Sequence, residues 1–348
     1  MSNRLSTLSR SLVGVRTAGI AFLLLLAVFL LCEVLLRLLG YAAWNPAPAS
    51  ISIIPGGSAF LADPLTGYRH HPGQYEVTIG GLQFNMTHDA QGRRLTAPGE
   101  RNMAGERPEI WIFGGSFTHG WGVNDDQTFP WLLQESLPQY RMVNYGVSGY
   151  GTLLSLLQLR REISAGSKPA KVVLAYLYFH DQRNVFSRER RKTISGINHL
   201  GPLSQPRVEF GPEGSLINSG MAEVSYLGLP GIQYSAAVNL LDDAINRLER
   251  ILLREREVTL ALFREFDKLA DEQGFDLVVA GLSPDRDTQA MLRRLDEEGV
   301  TTINAPLEFW DPRFNNLPWD SHPNAAGQRK YAVQISSQLK SLMAAQSD

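Results

Sequence analysis

The chain has 348 residues, a formal net charge of −2 and 44% hydrophobic residues. That suffices for one sizeable α/β domain with additions, or for two small domains. Charges are interspersed, and the one short basic run after the N-terminus, residues 188–192, is interrupted by Glu189, so no nucleic-acid partner is expected. The single cysteine, Cys32, excludes an intramolecular disulfide and a cysteine-based zinc site. No H-E-x-x-H or similar spacing suggests a metal, and neither a P-loop nor a G-x-G-x-x-G suggests a nucleotide, so the expectation is no metal and no cofactor.

Arg4, Arg10 and Arg16 precede an uncharged run over residues 17–32, and the apolar pattern continues to Leu39, interrupted by Glu33 and Arg37. A helix over about residues 17–36 would cross a hydrocarbon core of roughly 30 Å. Three arginines before it predict an N-terminus in the cytoplasm. Glu33 and Arg37, four apart, can pair on one helix face at the outer interface. The expectation is a single-pass bilayer anchor over residues 1–40, with the remainder periplasmic or otherwise extracytoplasmic. The alternative is a cleaved signal peptide, but the nearest A-x-A (Ala47-Pro48-Ala49) lies well past the apolar run. Either reading sends the rest of the chain outside.

Residues 41–60, rich in Pro, Gly, Ala and Ser, read as a linker. Residues 61–107 read as an irregular β-containing preamble. From 108 onward short apolar runs end in polar or turn-forming clusters: EIWIF (109–113), RMVNYGV (141–147), AKVVLAYLYF (170–179), FDLVVAGL (275–282) and VTTINAP (300–306). Between them lie helical patterns at 129–137, 152–163, 287–298 and 325–343. This alternation predicts a parallel sheet covered on both faces, with a site at the carboxyl ends of its strands. Residues 187–273 break the rhythm and end in one or two amphipathic helices over 234–273. They read as an insertion able to overhang the site.

The clusters at the strand ends carry the candidate chemistry. Ser116 follows the first run and two glycines; a strand-to-helix turn there exposes a hydroxyl as a nucleophile. Asp320-Ser321-His322-Pro323-Asn324 precedes the last helical pattern, and a carboxylate two residues before an imidazole can orient it and stabilise its protonated form. Gly146-Val147-Ser148-Gly149-Tyr150-Gly151 follows the second run, where Gly149 can offer a backbone N–H to an oxyanion. His180-Asp181 follows the third. His70, His71, His88, His119 and His199 show no partner spacing and read as surface or loop residues. Trp111, Trp121, Trp131, Trp310 and Trp319 read mainly as core, with Trp121 and Trp319 the candidates for stacking on a sugar.

These blocks resemble the SGNH (GDSL-type) hydrolases over about residues 108–343, with 187–273 poorly covered. In that family a serine in a G-D-S-like block is the nucleophile. A glycine in an N-x-G-x-x-G-like block and an asparagine in a G-N-D-like block complete the oxyanion hole, and a late D-x-x-H or D-x-H supplies the base. FGGSFTHG carries Ser116, NYGVSGYG carries Gly149, and WDSHPNAAG carries Asp320 and His322. Two positions depart. Gly115 stands where many members have Asp, and His180, in YFHD, stands at the family asparagine. A neutral imidazole there can still donate one hydrogen bond, and Asn184 is a substitute donor four residues on.

The resemblance implies a three-layer α/β/α sandwich with a flavodoxin-like parallel sheet over residues 108–348. It also implies ester chemistry by Ser116, His322 and Asp320, with Ser116, Gly149 and His180 holding the oxyanion. The D-x-H spacing and following HPN resemble the membrane-anchored, polysaccharide O-acetyl-modifying branches. An acylated carbohydrate is therefore the expected substrate. The alternatives are an O-acetyltransferase, which needs a membrane-embedded acyl donor partner, and a non-catalytic polysaccharide-binding or assembly protein.

Overall fold

The computed structural model describes residues 2–45, 50–98, 107–195 and 204–345, with side chains from residue 17. In chain order, α1 (Ser2–Leu38) precedes five short strands: β1 (Ile51–Ile54), β2 (Phe60–Asp63), β3 (Gly67–His70), β4 (Gly73–Ile79) and β5 (Leu82–His88). Strand–helix alternation then begins with β6 (Glu109–Phe113), α2 (Ser116–His119), α3 (Phe129–Ser136), β7 (Arg141–Asn144), α4 (Thr152–Ser164) and β8 (Lys171–Tyr176). A longer excursion follows through α5 (His180–Asn184), α6 (Arg188–Ile194), the hairpin β9 (Ser204–Phe210) and β10 (Leu216–Glu223), α7 (Ala236–Leu252) and α8 (Glu255–Gln273). The chain closes with β11 (Asp276–Gly281), α9 (Arg286–Glu297), β12 (Thr302–Asn304), the small hairpin β13 (Asn315–Asn316) and β14 (Asp320–Pro323), and α10 (Ala325–Ala345).

All five runs expected as strands form one parallel sheet, in the order β12-β11-β8-β6-β7. This is the flavodoxin-like order, and its switch point lies between β6 and β8. Alternate residues feed two cores. Trp111, Phe113, Val172, Leu174 and Val279 pack with Leu156 of α4, Phe263 of α8 and Leu295 of α9. Ile110, Ile112, Val173, Ala175 and Val278 pack with Leu133 of α3 and Ile335 of α10. With both faces covered, the strands carry no polar alternation, which is why EIWIF and KVVLAY are apolar after their first, charged residue. The result is the expected α/β/α sandwich.

The preamble is more regular than its sequence. β1, β4 and β5 form an antiparallel sheet, and β2 pairs with β3. Arg94 bridges His88 to Asn144, and Thr96 Oγ1 donates to Met142 O (2.8 Å), so this layer is tied to the β7 edge of the main sheet.

Two boundaries differ from expectation. The linker cannot extend to residue 60, because β1 pairs with β4 through four residues and buries Ile53. Prolines and glycines around it mask the I-S-I-I alternation. The insertion ends before α8: Val258, Leu262, Phe263 and Phe266 lie in the core, so α8 is the crossover helix from β8 to β11. A left-handed Arg254 (φ 52°) separates it from α7.

By compactness the chain divides into Met1–Ala47 with Leu227–Leu248, and Pro48–Tyr226 with Glu249–Asp348. In the first unit, Thr17–Leu38 of α1 is 22 residues long, contains an 18-residue stretch of mean hydropathy 2.8 and is long enough to cross a membrane. Glu33 accepts hydrogen bonds from Ser235 Oγ (2.7 Å), Ala236 N (2.9 Å) and Ala237 N (3.0 Å). It thereby supplies acceptors for amides that the first turn of α7 leaves unpaired. Arg37 pairs with Glu33 (2.5 Å) and donates to Tyr234 O (2.8 Å).

Candidate active site

The sheet places Ser116 at its switch point. β6 ends at Phe113, two glycines turn the chain, and Ser116 opens α2, so its N–H has no acceptor within the helix. The helix lasts one turn: Gly120 N and Trp121 N both return to Ser116 O (2.9 and 3.0 Å). From the far end of the domain, β14 brings Asp320 and His322 to the same place. Asn316 Nδ2 donates to both His322 O (3.3 Å) and Gly122 O (3.2 Å), fastening this hairpin to the loop after α2. Gln328 at the start of α10 donates to Phe117 O (3.1 Å) and accepts from Phe129 N (2.9 Å).

Within this frame Ser116 Oγ lies 2.8 Å from His322 Nε2, and His322 Nδ1 lies 2.6 Å from Asp320 Oδ1. Asp320 also accepts from His322 N (2.7 Å) and from the Trp121 indole. Burial acts to raise the Asp320 carboxyl; the imidazole, this amide and the indole outweigh it and hold the group below its ordinary value. The carboxylate is therefore charged at neutral pH, as an acceptor for Nδ1–H must be. The three residues singled out as nucleophile, base and acid thus form one continuous hydrogen-bonded chain. Ser116 is 6% exposed, so access to it is narrow.

The oxyanion candidates surround Gly115. A Cβ there would lie 2.8 Å from Arg183 Nη1, 3.0 Å from Tyr150 O and 3.3 Å from His180 Nε2. The space an aspartate would take is thus filled by the Arg183 guanidinium, which donates to Tyr150 O (2.6 Å). His180 is buried, and its Nε2 has no hydrogen-bond partner among the described residues. Burial, then the charges of Arg183 and Arg190, push its pKa well below the ordinary value, so the ring is neutral. Gly149 has φ 88° and its carbonyl accepts from Arg190 Nη2 (3.2 Å); a Cβ would fall 2.2 Å from Tyr68 Oη, which excludes any larger residue.

Three expectations need correction. Asn184 is not a substitute donor: its Oδ1 accepts from Leu153 N (2.9 Å), its Nδ2 donates to Thr259 Oγ1 (2.8 Å), and it is fully buried. Trp121 is no sugar platform. It is 3% exposed, meets Phe84 edge-on and spends its indole N–H on Asp320. Trp319 does remain half exposed, lying over the Gly80-Gly81 turn. His70, His88 and His119 are not surface or loop residues: they end β3, β5 and α2, and all three are buried. His71 is exposed, and His199 lies outside the described residues.

Sequence reasoning also missed a cleft of about 540 Å³ at the carboxyl ends of β11 and β12, lined by Tyr178, Ser283, Asp285, Glu308, Phe309 and Trp310, among others. Trp310, read as core, is 62% exposed there. Phe309 stacks edge-on against Phe117, the residue after the serine (5.4 Å). A tryptophan four residues beyond the weak run at 300–306 carries no signal that it faces solvent.

No protein-family model matches the chain, and comparison with curated proteins gives no match. Among solved structures, the chain is similar to a member of the lipolytic protein G-D-S-L family from Veillonella parvula, at 12% identity and a TM-score of 0.37, covering 65% of this chain and 95% of that one. It is similar to TesA at 16% identity and a TM-score of 0.38, covering 67% and 99%. It is also similar to an α/β hydrolase enzyme from the metagenome of Lake Arreo, Spain, at 15% identity and a TM-score of 0.36, covering 66% and 94%.

Proposed function

We propose that the protein is a serine ester hydrolase acting on O-acyl groups, in particular O-acetyl groups, of a cell-envelope carbohydrate outside the cytoplasmic membrane. The observation that carries the reading is the unbroken chain from Ser116 Oγ through His322 to Asp320, at 2.8 and 2.6 Å. Such a relay supports the reading because it makes a serine hydroxyl nucleophilic at neutral pH.

Ser116 Oγ attacks the acyl carbonyl while His322 Nε2 takes its proton. Asp320 holds Nδ1–H and stabilises the imidazolium. The negative charge on the former carbonyl oxygen is met by the Ser116 and Gly149 N–H groups and by His180 Nε2–H. Collapse expels the sugar alcohol, which receives the proton from His322, and leaves an acyl-serine. Water, deprotonated by His322, attacks that ester and regenerates Ser116. An acceptor hydroxyl in place of water gives acyl transfer with the same residues, and that reaction requires an acyl donor from a membrane-embedded partner. The exposed rings of Trp310 and Trp319, and the hydroxyl and carboxylates that Ser283, Asp285 and Glu308 place among the apolar groups of the adjacent cleft, support a carbohydrate substrate.

In this reading α1 is a retained anchor. Glu33 and Arg37 contribute to the first turn of α7 and its approach, and a cleaved leader would take those contacts away. Intact mass of the membrane-extracted chain checks this; a product lacking residues 17–38 refutes it.

The catalytic reading is tested with a fluorophosphonate probe on the full chain in detergent. The wild type is labelled and Ser116→Ala is not. An unlabelled wild type that still binds acetylated glycan overturns the enzyme and favours a binding protein. Acetate release that is unaffected by an acceptor sugar, with no acylated product, excludes transfer.

A further inference from the structure

Behind the nucleophile helix lies a second cluster that the hydrolase reading does not use. His70 comes from β3, His88 from β5 and His119 from α2, three residues after Ser116. Their exposures are 1%, 3% and 0%, and one ligating nitrogen from each lies within 4.8 Å of the others. We propose that His70, His88 and His119 bind one divalent d-block cation of the zinc class.

The hydrogen bonds argue for it. His88 Nδ1 lies 2.9 Å from His71 O, which fixes Nδ1 as the protonated nitrogen and leaves a lone pair on Nε2. A ligand imidazole is commonly oriented in this way, through its other N–H to a backbone carbonyl. His88 Nε2 faces His119 Nε2 at 2.9 Å. Both nitrogens of His70 and Nδ1 of His119 are buried without a partner among the described residues. Three imidazoles sealed from water with this many unused nitrogens form a poor hydrogen-bonded core, since buried polar atoms are ordinarily satisfied. They form a good donor set for a cation that takes nitrogen ligands.

Chemistry selects the cation class. Neutral imidazole suits zinc and its neighbours, whereas magnesium and calcium require oxygen donors. Burial, and secondarily the neighbouring charges, keep all three rings neutral at pH 7, with His88 lowered to about 4. The nearest cationic side chain, Arg94, is matched by Asp125 at 2.5 Å. The His70 ring lies stacked on His88, 9° from parallel with centroids 4.4 Å apart. Coordination therefore turns His70 out of the stack to aim an in-plane lone pair, and no hydrogen bond holds it back. The three imidazoles fill three positions of a tetrahedral cation and leave the fourth for one small ligand such as water. The cation's effect is to pin the end of α2 to the preamble strands.

The test uses the full chain, untagged and extracted in detergent. Elemental analysis after gel filtration gives about one zinc per chain. Treatment with a chelator lowers the thermal midpoint, and equimolar zinc chloride restores it. His70→Ala and His88→Ala lose the bound equivalent, while His71→Ala keeps it. Should these variants fail to fold, cobalt chloride added to the chelator-treated wild type gives the visible d–d absorption of a low-coordinate nitrogen site. Absence of bound metal together with no zinc-dependent midpoint shift or no cobalt spectrum overturns the proposal, as does metal retained by folded His70→Ala and His88→Ala.

Discussion

Two histidine arrangements share the one-turn helix α2, and they are built on opposite terms. At its start, Ser116 meets an imidazole whose two nitrogens are both engaged, one by the hydroxyl and one by a charged carboxylate. At its end, His119 meets two buried imidazoles, His88, bonded at both nitrogens, and His70, bonded at neither. The first arrangement is partly exposed, with 24% of the His322 side chain accessible. The second is sealed. A proton relay needs a fixed tautomer, a counter-charge and a route to substrate. The buried neutral cluster has no carboxylate bonded to its rings and no route to substrate among the described residues, and stores unused lone pairs instead.

The comparison breaks most decisively at Asp320. If the carboxylate's task is to fix the His322 tautomer, Asp320→Asn presents an N–H to Nδ1 and inverts it. That loss is expected to reach about 10⁴ in kcat, with the fold intact. Turnover of an activated acetate ester alongside circular dichroism measures it. A fall of tenfold or less would mean that the imidazole is positioned without its acid.

His180 tests whether burial without a partner can also serve catalysis. It resembles the sealed cluster in exposure and in its lowered pKa, yet its Nε2 faces the residue before the nucleophile. His180→Ala should reduce kcat by about 10²–10³ while leaving KM nearly unchanged, the signature of an oxyanion donor. His180→Asn, which restores an N–H donor, should recover part of the rate. An equal loss in both variants, or a loss only in KM, assigns His180 to packing.

The same contrast explains what could be read from the chain. Continuous apolar runs such as EIWIF and KVVLAY identify buried parallel strands because their surroundings demand it on both faces. Serine, aspartate and histidine are legible because the triad sits beside the carboxyl ends of the apolar strands, in a one-turn helix and a short hairpin whose small and polar residues stand out. The buried trio is not, since its members lie on β3, β5 and α2 and meet only through tertiary packing. No spacing encodes that meeting. Trp121 was misread for a related reason: its neighbourhood in sequence is the site, but its indole turns inward to Asp320. The crossover helix α8 reads as part of the insertion because its many Arg and Glu residues obscure the one face that enters the core.

The smallest effect separates the two arrangements by acid. His70, His88, His119 and His180 all have folded-state pKa values below the ordinary 6.5, that of His88 near 4, because burial disfavours their charged forms. Between these values the unfolded chain binds protons that the folded chain refuses. Their contribution to stability is therefore whole above pH 6.5 and is lost as pH falls toward 4. Each such group costs up to about 1.4 kcal/mol per pH unit in that window. Asp320 behaves differently: its carboxyl is lowered from 3.8, so its contribution persists until pH falls below that value. Denaturant midpoints of the chelator-treated chain should accordingly decline between pH 6.5 and 4. Replacing His88 with Gln should flatten that slope, whereas Asp320→Asn should leave it unchanged. A midpoint that holds constant down to pH 4 would mean that the buried rings take up protons in place, through an opening to water that their packing does not contain.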